Sequence, residues 1–205
     1  MMLHDLTPGM HPRRVRIFLA EKGLSIPRRE VDAAGRGNES PEFLRLNPLG
    51  KLPVLELDDG TAISESLAIC RYLEELHPNP SLMGRTLRET ALIDMWTLRM
   101  EFELSRPIAQ VFLHSSDFYR GRIEQVPQVA DHARRQVLAT MQWLDRELAS
   151  RQHIADDAYS MADIVAQCAF VLAKAVGLRI PPEMAYPRAG SRPPARGRRP
   201  ELEES

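Results

Sequence analysis

The chain has 205 residues, of which 43% are hydrophobic, so it can bury a core as one domain or two small ones. The formal net charge of −1 gives no bulk reason to expect nucleic acid or an anionic membrane as a partner. No run of about 18 apolar residues occurs, and the N-terminus lacks the apolar region of a signal peptide. We therefore expect a cytoplasmic protein.

The first part of the chain alternates strand and helix patterns. Ser40 before Pro41 is a signal for a helix start, and Asp58-Asp59-Gly60 predicts a tight hairpin turn. In chain order we predict the strand "MLHDL", a helix over 11–22, the strand "IPRREVD", the short helix "SPEFLRLN", the strands "LPVLEL" and "TAIS", and the helix "ESLAICRYLEELH". This β-α-β-α-β-β-α order implies a mixed sheet with helices on its faces.

The second part of the chain follows a helical period throughout. Helices are predicted over 87–114, with a kink at Pro107, over 128–149 and over 160–176. The last of these has a well-marked start, because Asp163 follows Ser160 by three residues in a capping box. Asp163 is thus predicted to be a folding element and not a catalyst.

Changes in composition suggest where the domains end. The stretch "HPNPSLMG" carries two prolines and a glycine and is typical of a linker. Beyond the helices, proline and arginine dominate with no apolar periodicity, which predicts a disordered or loosely attached tail, or one read from a shifted frame. The predicted divisions are 1–77, a linker over 78–84, an all-helical domain over 85–180, and the tail over 181–205.

The two cysteines, Cys70 and Cys168, lie in separate apolar helical stretches. This placement favours buried thiols in a reducing compartment over a disulfide or a metal site. We therefore expect no metal cofactor.

The most informative stretch is "NPLGKLPVLELDDGTAISES", residues 47–66. Pro53 cannot donate to a strand ladder, so it must sit at a strand start, and Leu52-Pro53 there favours a cis peptide. A cis bond would turn the main-chain N–H and C=O of Leu52 toward a ligand. The stretch therefore predicts main-chain pairing with a peptide-like molecule.

Glu65 and Ser66 open a helix directly after a strand. Helix N-terminal N–H groups bind anions, the Ser66 hydroxyl adds a donor, and the Glu65 carboxylate suits a cation. The pair fits the head group of an α-amino acid, and Lys51 could hold a second carboxylate. The alternatives are an ordinary helix cap for 65–66 and a solvated surface side chain for Lys51.

Several stretches of the chain are similar to the bacterial type of cytosolic glutathione transferases. The resemblance runs over about residues 1–180 and is carried by "HPRRVRIFLAEKGL", "SPEFLRLNPLGKLPVLELDDG", "ISESLAICRYLEELHP" and "YSMADIVA". It implies an α+β fold followed by an all-α one, namely a thioredoxin-like N-terminal domain and a helical-bundle C-terminal domain. It also implies a homodimer, a glutathione site on the first domain and a site for an apolar co-substrate between the domains.

The resemblance assigns roles to particular residues. Leu52 would pair with the cysteinyl backbone of glutathione ahead of cis-Pro53, Glu65 and Ser66 would hold the γ-glutamyl group, and Lys51 would hold the glycine carboxylate. Glutathione would be a co-substrate rather than a resident cofactor. The co-substrate pocket would draw on Met10, Met100 and Arg106.

The loop "TPGMHPRRVR", residues 7–16, departs from the family pattern. Relatives have Ser, Thr or Ala, then Pro and often Asn, where this chain has Gly9, Met10 and His11. The hydroxyl that would stabilise the glutathione thiolate is therefore absent. His11 is the first candidate donor, with extra charge if its ring is partly protonated, and the alternative is a solvent-facing or capping histidine. Thr7 is the second candidate, and the first-turn N–H groups of Arg13 and Arg14 are the third.

The leading hypothesis is a glutathione transferase that transfers glutathione to a small hydrophobic electrophile, as in detoxification. One alternative is a glutathione-binding or protein-interaction member of the same fold that has lost thiol activation through Gly9. Another is a glutathione-dependent disulfide reductase. An unrelated thioredoxin-like oxidoreductase is disfavoured, because no Cys-x-x-Cys follows the first strand. No nucleic acid or membrane partner is expected.

Overall fold

The N-terminal part of the chain forms a four-stranded mixed sheet. A computed structural model describes residues 1–155 and 157–178, so the predictions for the tail over 181–205 lie outside the described residues. The strand order is β2-β1-β3-β4, with β1 parallel to β2 and antiparallel to β3, and β3 antiparallel to β4. The strands are β1 (Met2–Asp5), β2 (Arg28–Glu30), β3 (Val54–Glu56) and β4 (Ala62–Ser64). The predicted mixed sheet is confirmed.

Three helices accompany this sheet: α1 (Met10–Glu21), α2 (Pro41–Leu46) and α3 (Ser66–Leu76). The Ser40 side chain accepts a hydrogen bond from the main-chain N–H of Phe43 and so caps α2, as its position before Pro41 predicts. Leu76, the last residue of α3, is 47% exposed.

The helical part contains four α-helices in the described residues. The long kinked helix predicted over 87–114 is divided into three segments. A π-helical segment over Met100–Ser105 separates two α-helices. Pro107 follows this segment and lacks the N–H that would continue the regular ladder, so the backbone changes its bonding pattern just before it. The four helices are α4 (Leu87–Arg99), α5 (Arg106–Ser115), α6 (Pro127–Glu147) and α7 (Met161–Ala175), with short 3₁₀ turns at Gly37–Glu39 and Asp117–Tyr119.

The start of α7 depends on a buried carboxylate, as predicted. Asp163 accepts hydrogen bonds from the main-chain N–H of Ser160 at 3.0 Å and from the Ser160 hydroxyl at 2.9 Å. It also accepts one from the main-chain N–H of Ile154 at 3.0 Å. Asp163 therefore ties the preceding loop to the first turn of α7.

A buried ion pair holds the segment that follows α3. The Glu74 carboxylate lies 2.6 Å from the Lys22 ammonium, and both side chains are almost completely buried. Glu74 also accepts hydrogen bonds from the main-chain N–H groups of Leu82 and Met83. Lys22, at the end of α1, donates to the carbonyl oxygen of His77 at 2.6 Å. The predicted linker is therefore fixed to the first part of the chain by charged and polar contacts.

The two parts of the chain share one buried apolar cluster. It joins side chains of the sheet and α1, such as Leu3 and Phe18, to side chains of the helical part, such as Met100 and Ala169. Cys70 and Cys168 are free and buried within it, as predicted. In the described part of the chain, no helix is long and apolar enough to cross a membrane.

Candidate functional site

The segment before β3 has the geometry that its proline predicted, since the Leu52–Pro53 peptide is cis. Two amide side chains fix the loop in front of it. Asn47 Nδ2 donates to the main-chain oxygen of Lys51 at 2.8 Å, and Asn38 Nδ2 donates to that of Gly50 at 2.8 Å. Neither asparagine was predicted as part of the site, although an Asn before a Pro, as at residues 47–48, is a recognisable turn signal.

The N-terminus of α3 carries an unusual backbone. Glu65, which precedes the helix, has φ of +67°, although it is not a glycine. Residues other than glycine rarely adopt such angles, and those that do are concentrated at ligand sites. Glu65 is exposed and Ser66 is buried beneath it. The first N–H groups of α3 have no intrahelical partner, so this end of the helix can bind an anion beside a carboxylate.

His11 lies where two cations converge. Burial, followed by the charges of Arg14 and Lys51, lowers the pKa of His11 from 6.5 to about 4. The ring is therefore neutral at neutral pH, which corrects the expectation of a partly protonated side chain. A neutral imidazole still offers one N–H donor. Lys51, in the loop before β3, and Arg14, on α1, both contribute to this lowered pKa.

The side chain of Arg14 is a further part of the site that the sequence did not predict. Its side chain is 1% exposed, and its Nη1 donates to Ser66 Oγ at 3.4 Å. The burial of this side chain could have been predicted from its position on α1, because residue 14 lies one turn before the buried Phe18 and therefore on the inward face. Arg14 thus links the N-terminus of α3 to the same site as His11.

Thr7, the second candidate donor, is engaged elsewhere. Its hydroxyl donates to Glu30 Oε2 at 2.9 Å, and its main-chain N–H donates to Glu30 Oε1 at 2.7 Å. A hydroxyl has a single proton, and this bond uses it. The main-chain N–H of Arg13 is also engaged, because it donates to the carbonyl oxygen of Gly9 at 3.1 Å. The free first-turn N–H groups of α1 are therefore those of Met10 and His11, which precede the first intrahelical bond.

The three predicted co-substrate residues have different surroundings. Met10 is half-buried at the start of α1, and Arg106 is exposed at the start of α5. Met100 has 0% exposure because it packs in the shared core. A side chain with no exposed surface cannot line an open pocket in this conformation, so Met100 has a packing role here.

Gly9 leaves no room for a larger side chain. A Cβ atom at this position would lie 2.9 Å from the ring atoms Cγ and Cδ of Pro12 and 3.0 Å from the carbonyl oxygen of Leu6. These distances are shorter than ordinary carbon contacts. The loop is therefore packed so that only a glycine fits at position 9 without displacing its neighbours.

We predict that Gly9→Ser loses about 1–3 kcal/mol of unfolding free energy, the usual cost of overpacking. Urea unfolding measures the change. Adding Pro12→Ala, which removes the opposing ring, should restore part of the stability. A Gly9→Ser variant with unchanged stability would contradict this account of the loop.

Among residues 1–155 and 157–178, no group of three or more His, Cys, Asp or Glu side chains is placed to hold a metal ion. The assembled site instead consists of main-chain donors, two cations and a neutral imidazole. Such a set is suited to an anionic, peptide-like ligand.

Comparison with known proteins agrees with this geometry. Residues 10–76 match the family model for the glutathione S-transferase N-terminal domain, and residues 107–189 match that for the C-terminal domain. Glutathione S-transferase 2 of Saccharomyces cerevisiae is 36% identical over 193 residues, covering 92% of this chain and 83% of that protein. The crystal structure of Gtt2 from the same yeast has a TM-score of 0.88 at 35% identity, covering 94% of this chain and 97% of that one.

A second group of similar proteins is named elongation factor 1-gamma. Elongation factor 1-gamma 3 of Oryza sativa subsp. japonica is 35% identical over 170 residues, and the match covers 82% of this chain but only 39% of that protein. This likeness concerns the same two domains. The yeast relative and its structure, in contrast, correspond to this chain over most of their length. The chain belongs to the glutathione S-transferase family.

Proposed function

We propose that the protein binds glutathione and conjugates it to a small hydrophobic electrophile. The observation that carries the proposal is the pairing of Val54 with Ser64, which sets the cis Leu52–Pro53 peptide next to the N-terminus of α3 at Glu65 and Ser66. Main-chain donors and a helix N-terminus in one place suit an anionic peptide, and the Lys51 ammonium and the His11 N–H would favour its thiolate over the thiol.

Bound glutathione would contact the loop before β3, the N-terminus of α3 and the start of α1. The main chain of Leu52 would pair with the cysteinyl residue, and the Lys51 ammonium would meet the glycine carboxylate. The γ-glutamyl carboxylate would lie on the N-terminus of α3 and on Ser66, with its ammonium at Glu65. This arrangement would bring the thiol to the start of α1.

Conjugation needs little further chemistry from the protein. The thiol loses its proton to solvent as the site stabilises the thiolate, and the thiolate forms a C–S bond to the electrophilic carbon. A leaving group departs with its bonding pair, or an adduct takes up a proton. His11 would donate its N–H to the thiolate sulfur, helped by the free main-chain N–H groups of Met10 and His11.

Calorimetric titration with reduced glutathione tests the site. We expect Lys51→Ala and Ser66→Ala each to weaken binding about 5–10-fold, as for the loss of one charge-assisted hydrogen bond. Lys174→Ala, an exposed lysine on α7, is the matched control and should bind like the wild type. Equal affinities for all three variants and the wild type would show that glutathione does not occupy this site.

A non-catalytic glutathione-binding protein is the second candidate function. It is favoured by the missing hydroxyl at Gly9 and by the likeness to elongation factor 1-gamma. Assays with glutathione and a generic aryl halide separate the two candidates. Binding without conjugation and without a shift in the pKa of the bound thiol would favour the second candidate.

From the family we also expect a homodimer. The two free, buried cysteines fit a reducing compartment, so we expect the protein in the cytoplasm. Burial raises the pKa of Cys168 to about 11, so this thiol is unreactive at neutral pH. Sedimentation equilibrium would determine the oligomeric state.

A further inference from the structure

The guanidinium group of Arg14 connects the two parts of the chain. It comes from α1 in the first part and has almost no contact with solvent. Its Nη2 lies 2.6 Å from Glu101 Oε2 and donates to Ser105 Oγ at 3.0 Å. Glu101 and Ser105 both belong to the π-helical segment of the helical part. A charge from one part of the chain is therefore neutralised by the other.

The distances indicate which contacts fix the position of the guanidinium. The ion pair with Glu101 at 2.6 Å and the hydrogen bond to Ser105 at 3.0 Å are short, whereas the contact from Nη1 to Ser66 Oγ is long at 3.4 Å. Contacts with the helical part thus fix the position of the guanidinium, and the Ser66 hydroxyl contacts the guanidinium in that position. A buried cation also needs its carboxylate, because an unpaired buried charge is costly.

The chemistry of this contact orients the Ser66 hydroxyl. A guanidinium has donors only, so Ser66 must accept from Arg14. The single hydroxyl proton is then left for another acceptor, and an anion bound at the free N–H groups of the α3 N-terminus would supply one. Arg14 therefore makes Ser66 a donor toward a bound anion.

We propose that Glu101 is a positioning residue for the glutathione site, acting through Arg14 on the Ser66 hydroxyl. The inference rests on the proposed function, because it assumes that glutathione binds at Ser66. It means that the π-helical segment of the helical part sets the glutathione affinity of the first part. A change in this segment alters glutathione binding without touching the ligand.

A double-mutant cycle tests the proposal. Glu101→Gln keeps the size of the side chain but removes its charge, and we expect it to weaken glutathione binding about fivefold to tenfold in calorimetry. In a Ser66→Ala background the same change should have less than a twofold effect, because the hydroxyl that it positions is gone. Glu103→Gln, an exposed position on the same segment, is the matched control and should bind like the wild type.

Thermal unfolding followed by circular dichroism shows whether each variant folds. If Glu101→Gln does not fold, Ser105→Ala serves in its place, since it keeps the ion pair and removes one anchor. We expect it to weaken binding about threefold, again only when Ser66 is present. Unchanged or tighter binding in these variants, or a loss that persists fully in the Ser66→Ala background, overturns the proposal. If the wild type itself does not bind glutathione, the proposed function fails first, and this inference fails with it.

Discussion

Replacing Glu74 by alanine should lower the free energy of unfolding by about 3–5 kcal/mol, the cost of breaking a buried ion pair by removing one partner. The substitution leaves the Lys22 ammonium without its carboxylate and leaves the main-chain N–H groups of Leu82 and Met83 without an acceptor. The linker that Glu74 organises should loosen as well. Urea unfolding followed by circular dichroism measures the change.

Two further variants identify the cause of this loss. Glu74→Gln keeps an acceptor for the N–H groups but loses the charge, so its stability should lie between those of the wild type and Glu74→Ala. Glu75→Ala changes the neighbouring exposed glutamate and should cost less than about 0.5 kcal/mol. Equal stability of Glu74→Ala and Glu75→Ala would contradict the role given to the ion pair.

Replacing His11 by alanine should lower kcat/KM for conjugation about 10–100-fold at neutral pH. The lost interaction is one N–H donor to a developing anion in a partly buried site, for which removals of this size are typical. His11→Gln keeps an N–H donor and should recover most of the rate. Steady-state kinetics with an aryl halide measure both variants. Full activity of His11→Ala would leave the first-turn N–H groups of α1 as the stabilising donors.

The lowered pKa of His11 also predicts a pH dependence of stability. The folded ring has a pKa of about 4, against an ordinary value of 6.5. Between these values the unfolded chain binds more protons, so the free energy of unfolding falls as the pH drops from about 6.5 to about 4. The His11→Gln variant lacks this titration and should lose roughly 1–2 kcal/mol less than the wild type between neutral pH and pH of about 4.5. Parallel pH curves for the two proteins would contradict the assignment.

Features set by a few neighbouring residues could be predicted from the sequence. Ser40 before Pro41 determines the start of α2, and Asp163 after Ser160 determines the start of α7. The cis Leu52–Pro53 peptide could also be predicted, because a proline has no N–H for a strand ladder and is confined to positions such as a strand start. In each case the residues that make the contact are close in the chain, so the pattern contains the cause.

Features set by distant contacts could not be predicted in this way. The periodicity extended one helix through residues 100–105, whereas the backbone there is π-helical and the side chains of Glu101 and Ser105 contact Arg14 from the other part of the chain. The contacts of the Arg14 side chain could not be predicted, since its hydrogen-bond partners follow it by 52 and 91 residues. The protonation of His11 likewise depends on burial and on cations brought by folding. These are the parts of the site where tertiary structure decides the chemistry.

The central claim is that the protein activates the thiol of bound glutathione. The most direct measurement is the pKa of that thiol in the binary complex, followed by the ultraviolet absorbance of the thiolate at saturating glutathione. We expect a value about 2 units below the pKa of an ordinary free thiol. The Lys51→Ala and His11→Ala variants should each reverse part of this shift. A bound thiol that titrates like free glutathione would contradict the claim and leave a site that binds without activating.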